Sequence, residues 1–248
     1  MNSLTPLDGP TVVIELANSR FLVDPTFDPA GAYPIGSREL VKITGSTWTP
    51  EQVGTVDAVL LSHDQHPDNL DRGGRSFLER APLTITTREG AGRLGGTALG
   101  LDPWSAHQVR GVTVTAVPAL HGTEGADAVL GPVTGFVLSA EGAPSIYVSG
   151  DNASLRLVGE IATHFPRLDV AVLFAGGAKS PSVEGYITLS NEAAIEAAGI
   201  LGHPKVLAVH TDGWAHFTQS WRSLREAFAA AGLADLLLAR VPGQEVPI

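Results

Sequence analysis

The chain of 248 residues contains no cysteine, which removes disulfides, thiolate zinc sites and a cysteine nucleophile at once. Any metal it binds must be held by nitrogen and oxygen. No window approaches the ~20 uninterrupted apolar residues of a membrane span, so no membrane partner is expected. The opening MNSLTPLDGP has neither a basic region nor an apolar stretch, and a cytoplasmic location without a secretory leader is the expectation. Positive charge is scarce: sixteen Lys and Arg stand against twenty-six Asp and Glu, a formal net charge of −10. That balance opposes a phosphate backbone, and no basic cluster or aromatic platform offsets it. Nucleic acid is therefore a poor partner and a small-molecule substrate the better expectation, with self-association left open. Repeats, low-complexity segments and linkers are also missing, so a single domain over residues 1–248 is expected.

What is present is a series of short apolar runs rich in Val and Ile. TVVIEL (11–16), RFLVD (20–24), 56–62, LTITT (83–87), GVTVTAVPA (111–119), VTGFVLS (133–139), SIYVSG (145–150), LDVAVLFAG (168–176) and KVLAVH (205–210) read as strands. Helical patterns separate the later runs: Ser154 to Phe165 with Ser154 as N-cap, Ser190 to Leu201, and Ser220 to Ala231 ended by Gly232. Strands dominate early and helices thicken late, which predicts a layered α/β sandwich. Residues 24–36 and 175–185, rich in Pro and Gly, read as surface loops over a site.

The chemistry-bearing residues fall at strand carboxyl ends. SHDQHPDN (62–69) follows one strand, His121 another, Asp151 a third, and His210 closes a fourth. Loops at one edge of a strand layer can converge although their residues are distant in sequence, and nitrogen and carboxylate ligands suit Zn²⁺, Mn²⁺ or Fe²⁺. Taken singly, each could be a capping or turn residue; four together favour a shared site.

These motifs resemble those of the metallo-β-lactamase-fold hydrolases: a His-rich loop after a strand, a later lone His in PALHG, a Gly-Asp pair in SGDNAS, and a last His in LAVHTDGWAHF. The LVDPTF segment and the compact C-terminal half look most like the ascorbate-6-phosphate lactonase-like branch. The resemblance implies a four-layer αββα sandwich, with two mixed β-sheets flanked by helices. It also implies one or two divalent metal ions, zinc or manganese with iron a further candidate, and hydrolysis by a metal-bound hydroxide. The substrate is not implied by the fold.

The loop of that family reads His-x-His-x-Asp-His, and this chain departs from it. Without a gap, Asp64, His66, Asp68 and Asn69 take the four positions; with one inserted residue, His63 and Gln65 take the first two. The ungapped reading is preferred because a carboxylate is a better ligand than a neutral amide, and His63 is then an additional ligand or a hydrogen-bond partner of one. The expected metal ligands are His63, Asp64, His66, Asp68, His121, Asp151 and His210. Asp68 is expected to orient or deprotonate the water, and His216 to shuttle a proton. Loss of imidazoles should weaken one of two metal positions. The expected function is metal-dependent hydrolysis of a lactone, ester or amide. Phosphodiester or phosphorylated-sugar hydrolysis, with Lys179 and Arg72 to Arg75 as anion contacts, is one alternative, and a catalytically silent binding protein with a degenerate site is another.

Overall fold

Alternation hidden inside the apolar runs divides their side chains between separate cores. In β3 (Ser19–Val23) Phe21 and Val23 enter one cluster and Leu22 another; in β6 (Ala58–Leu60) Ala58 and Leu60 join the first and Val59 the second. β12 (Ile146–Val148) and β13 (Val170–Phe174) repeat the pattern, sending Ile146, Val148, Val170, Val172 and Phe174 to the first cluster and Tyr147, Ala171 and Leu173 to a third. A strand covered on both faces reads as a continuous apolar run, which is why the period of two is not obvious in the sequence.

The computed structural model describes residues 2–36 and 38–248. Among these residues a seven-stranded sheet runs in the order β15 (Val246–Pro247), β1 (Ser3–Pro6), β2 (Val12–Leu16), β3, β6, β7 (Thr84–Thr86) and β8 (Ala98–Gly100). A six-stranded sheet runs β14 (Lys205–Val209), β13, β12, β11 (Val133–Ser139), β10 (Val112–Ala119) and β9 (Ala106–Val109). Both are mixed: β3, β6, β7 and β8 are mutually parallel, as are β12, β13 and β14, while the other neighbours pair antiparallel. The first cluster lies between the sheets and supplies the central core.

Helices cover the outer faces. α5 (Leu155–His164), α6 (Asn191–Ile200) and α7 (Trp221–Ala230) lay Val158, Ile161, Ala194, Ala197, Leu224 and Phe228 on the six-stranded sheet. Each is started by a serine, Ser154, Ser190 or Ser220, whose hydroxyl accepts a backbone N–H of the first turn. α1 (Pro50–Val53) and α2 (Arg72–Leu78) cover the other sheet through Val53, Phe77 and Leu78. α3 (Arg88–Leu94) and α4 (Asp127–Leu130) are short connectors. The layers are those of an αββα sandwich.

One expected loop is partly something else. Residues 31–35 of the stretch 24–36 form β4 (Gly31–Ile35), which pairs antiparallel with β5 (Arg38–Lys42) in a separate hairpin. Pro34 and mostly exposed side chains hide that hairpin from an alternation test. Its holding contacts are remote in sequence: the Tyr33 ring lies 5.7 Å from that of Trp214.

Candidate metal centre

The residues 62–71 leave β6 at its carboxyl end and turn tightly before α2. The amides of Asn69 and Leu70 both donate to the His66 carbonyl, at 3.2 and 3.0 Å, and Asp71 caps α2 by accepting from the Gly74 amide at 2.8 Å. The turn sends His63, His66, Asp68 and Asn69 inward. β10, β12 and β14 run in a common direction, and their carboxyl ends deliver His121, Asp151 and His210 from the opposite sheet. Gly150 makes the approach of the sheets feasible: it adopts φ +56°, and a Cβ there would lie 2.6 Å from the Thr134 carbonyl oxygen and 3.0 Å from Ser62.

Hydrogen bonds to fixed acceptors set which ring nitrogens are bare. His121 Nδ1 donates to the Ile187 carbonyl at 2.7 Å, so Nε2 carries the lone pair. The buried Asp24 carboxylate accepts from the Ser62 amide at 2.7 Å, from Ser62 Oγ at 2.6 Å and from Asn69 Nδ2 at 3.0 Å. With its proton committed to Asp24, Ser62 Oγ accepts from His63 Nδ1 at 2.9 Å, which leaves His63 Nε2 unprotonated. His66 Nδ1, 2.9 Å from that atom, is then the donor to it in the absence of a cation, and a cation on His63 Nε2 would displace that proton. Burial pushes the Asp24 carboxyl up to about 7, and its three donors work against that rise.

Two ligand sets emerge, each with one donor atom per residue within 4.8 Å of the others: His63, His66, His121 and Asp151, and Asp68, Asp151 and His210. Asp151 belongs to both. Its Oδ2 lies 3.5 Å from His121 Nε2 and its Oδ1 3.5 Å from His210 Nε2; Asp68 Oδ2 lies 3.3 Å from His210 Nε2 and accepts from His216 Nε2 at 3.0 Å.

A divalent cation fits this donor set. Asp68 Oδ1, His121 Nε2, Asp151 Oδ2 and His210 Nε2 are buried, and among the described residues none has a hydrogen-bond partner. Lone pairs facing lone pairs in a dry volume are costly, and a cation satisfies all of them together. Burial, with the Asp68 and Asp24 charges adding to it, pushes the Asp151 carboxyl well above the carboxylate range. Asp68 is also raised by burial, but the His216 and His210 imidazoles outweigh that and hold it well below its ordinary value. Burial keeps His63, His66, His121 and His210 below the usual imidazole range, His121 down to about 3. Neutral imidazole is the form that binds metal.

Asp64 is a correction to the expected ligand set. Its carboxylate takes Arg93 Nε at 2.9 Å and Nη2 at 2.5 Å, its carbonyl accepts from Arg75 Nη2 at 2.5 Å, and it joins neither cluster. Two residues rather than one separate the inward-facing His63 and His66, so Asp64 turns outward onto α2 and α3. Gln65 is not drawn into either cluster: its side chain lines the cleft against Gly131, where a Cβ would fall 2.2 Å from Gln65 Nε2. Neither alignment of the loop survives whole, since the structure pairs His63 with His66. Asp24, which holds Ser62 and Asn69 beside the centre, is the residue that sequence reading passed over, although it too ends a strand.

The centre opens into a cleft of about 710 Å³. His66, Asp68, His121 and His216 form its floor, and Ile35, Leu40, Val129, Leu130 and Ile187 supply apolar wall. Its cations are Arg38 and Lys179, accompanied by Glu39 and Asp127; Arg72 and Arg75 are not in the lining. Lys179 Nζ sits 4.8 Å from the Tyr186 ring centroid.

Comparison with known proteins locates this geometry in a family. The profile of the beta-lactamase superfamily domain matches residues 19–211, which include every residue of both ligand sets. A UPF0173 metal-dependent hydrolase of Methanosphaerula palustris is 30% identical over 181 residues, 69% of this chain and 75% of that protein. Among solved structures, "a possible metal-dependent hydrolase" from Veillonella parvula superposes with a TM-score of 0.88 at 19% identity, covering 100% of both chains. An isothiocyanate hydrolase from Delia radicum gut bacteria gives 0.85 at 23% identity and 99% of both. On the matched profile and the curated relative, this chain belongs to the beta-lactamase superfamily, among its metal-dependent hydrolases.

Proposed function

We propose that the protein hydrolyses an acyl bond of a small molecule, a lactone, ester or amide. The observation that carries this reading is Asp151 shared by two ligand sets whose His66, His121 and Asp68 floor an apolar-walled cleft, with His216 paired to Asp68 beside them. His63, His66, His121 and Asp151 would hold one divalent cation, zinc or manganese, and Asp68, Asp151 and His210 a second. A cation bound there supplies a Lewis acid for a carbonyl and lowers the pKa of a coordinated water toward roughly 7.

The rest is the work of the chain. Asp68 Oδ1, without a partner of its own, orients the attacking water, while Oδ2 stays hydrogen-bonded to His216. His216 Nδ1, without a partner among the described residues, is bare while Nε2 donates to Asp68, so it takes the proton that the attacking water releases and returns it to the leaving group. The apolar wall takes the acyl chain and excludes water. Two separated cations with two anions in the same lining do not make the Arg and Lys cluster that a phosphate would select. The likeness of LVDPTF to lactonase-like proteins puts lactones first among candidates.

A panel of lactones, aryl esters, amides, phosphodiesters and isothiocyanates, assayed after loading with zinc or manganese, tests the reading. Acyl hydrolysis that a strong chelator abolishes and added metal restores is the expected result. Turnover confined to phosphodiesters or isothiocyanates would replace the acyl assignment, and loss of all turnover with metal fully loaded would overturn it.

A further inference from the structure

We propose that the two cation positions are chemically unlike: the first retains zinc, the second is an oxygen-rich, exchangeable position for a harder ion such as Mn²⁺, and Asn69 sets the difference. This rests on the reading of the centre as a metal site and adds what each half of it selects.

The first set offers three imidazoles and one carboxylate, a closed four-ligand arrangement of the kind zinc takes. Two of its rings are oriented in advance, His63 through Ser62 and Asp24, His121 through the Ile187 carbonyl. Orientation of that sort raises affinity. The second set offers one imidazole and two carboxylates, and its ring, that of His210, is held by packing against Phe174 and Phe217 but by no hydrogen bond at Nδ1, which is buried without a partner among the described residues. Both carboxylates are shared, Asp68 with His216 and Asp151 with the first set.

Asn69 stands where the resemblance expects a further imidazole, and its amide cannot substitute for one. Nδ2 lies 3.0 Å from Asp24 Oδ2 and 3.2 Å from Asp151 Oδ1. When ionised, as a bound cation would keep Asp151, carboxylate oxygens only accept, so the amide presents its nitrogen to both and cannot turn its oxygen around. Asn69 therefore holds Asp151 Oδ1 by an N–H that draws electron density from the oxygen a second cation would share. The one ligand atom left to it is Oδ1, buried and unpartnered, a carbonyl oxygen that suits manganese better than zinc. The second position is thus short of nitrogen, incompletely enclosed by protein ligands and weaker.

Metal retention tests this without reference to turnover. Protein saturated with zinc and then dialysed against metal-free buffer is expected to keep one zinc per chain by elemental analysis. Mn²⁺ added to that species should bind one further equivalent, seen as loss of the free-ion EPR signal, at least tenfold more weakly than zinc binds. Asn69→His should raise the retained zinc from one to two, and His121→Ala should abolish tight zinc while leaving the weaker Mn²⁺ equivalent. Two zinc ions retained by the native protein, or no Mn²⁺ uptake beside one zinc, would overturn the asymmetry while leaving chelator-sensitive hydrolysis intact. Failure to retain any metal would overturn this inference and the metal reading together. Because the native protein alone decides these outcomes, a variant that fails to fold does not shelter the proposal.

Discussion

Asp24 joins neither ligand set, yet its carboxylate decides which nitrogen of His63 is bare. It does so from a strained backbone, at φ 37°, and His210 on the opposite sheet sits at φ 57°. Left-handed conformations cost non-glycine residues about 1–3 kcal/mol each and persist where surrounding structure over-determines them. Both are pinned: the His210 amide donates to the Gly9 carbonyl at 2.8 Å, and the Asp24 amide to the Leu60 carbonyl at 3.1 Å. Asp24→Asn keeps the shape but replaces an oxygen that only accepts with an amide that also donates. Ser62 Oγ then no longer has to send its proton away from His63, and the ring loses its fixed tautomer. Zinc affinity, measured by competition with a chromophoric chelator, is expected to fall about tenfold or more, the scale on which such outer partners act. Unchanged affinity in Asp24→Asn would show that the relay through Ser62 does not orient the ring.

At the scale of elements, the β4–β5 hairpin couples the cleft wall to the acid–base pair. β5 continues beside the segment carrying His216: the Ile43 amide donates to the Gly213 carbonyl at 2.7 Å and the Ala215 amide to the Val41 carbonyl at 2.9 Å. Its anchor is a buried ion pair, Lys42 Nζ to Asp71 Oδ2 at 3.1 Å, and Asp71 also accepts from the amides of Phe27 and Asp28 at 3.0 and 2.7 Å. Removing one partner of a buried pair leaves the other uncompensated, so Lys42→Met should lower unfolding free energy by about 3 kcal/mol in a denaturant titration. It should also reduce kcat while leaving retained zinc unchanged, because His216 shifts and the ligands do not. Equal losses of kcat and zinc would mean that the hairpin supports the metal loop rather than His216. This anchor was not legible in the sequence, since Lys42, Asp71 and Trp214 meet only in the fold, and a lysine among exposed neighbours reads as solvated. The three long helices and the strand ends carrying His63, His121, Asp151 and His210 were legible, because periodicity and strand-end position are local signals. Asp64 was misread for the converse reason: spacing alone does not say which of two adjacent loop residues turns outward, and Arg75 and Arg93, from two different helices, decide it.

For the molecule as a whole, the centre is a junction between its two sheets. His63, His66 and Asp68 descend from the seven-stranded sheet and His121, Asp151 and His210 from the six-stranded one. Besides the shared apolar core, the contacts across the junction include the Thr134 amide donating to the Ser62 carbonyl at 3.0 Å and Asn69 Nδ2 donating to Asp151 Oδ1 at 3.2 Å. Without a cation, burial and the Asp68 charge hold the Asp151 carboxyl in its protonated form, and the two acids meet at this edge with no shared hydrogen-bond partner among the described residues. With one bound, ligands from both sheets would hold it together. Binding to the folded state alone stabilises by about 4.1 kcal/mol when free metal is 1,000-fold above its dissociation constant. For a domain of this size each kcal/mol moves the melting midpoint by roughly 2–4 °C, which gives an expected rise of about 8–16 °C on loading zinc. Calorimetry of chelated and zinc-loaded protein at equal concentration measures it directly. Asp151→Asn, which removes a ligand and replaces a buried acid already held above the carboxylate range, should melt close to the chelated native protein and respond little to zinc. Coincident transitions for chelated and loaded native protein would show that the metal does not tie the sheets together, and the stabilisation assigned to ligands from both sheets would fall with it.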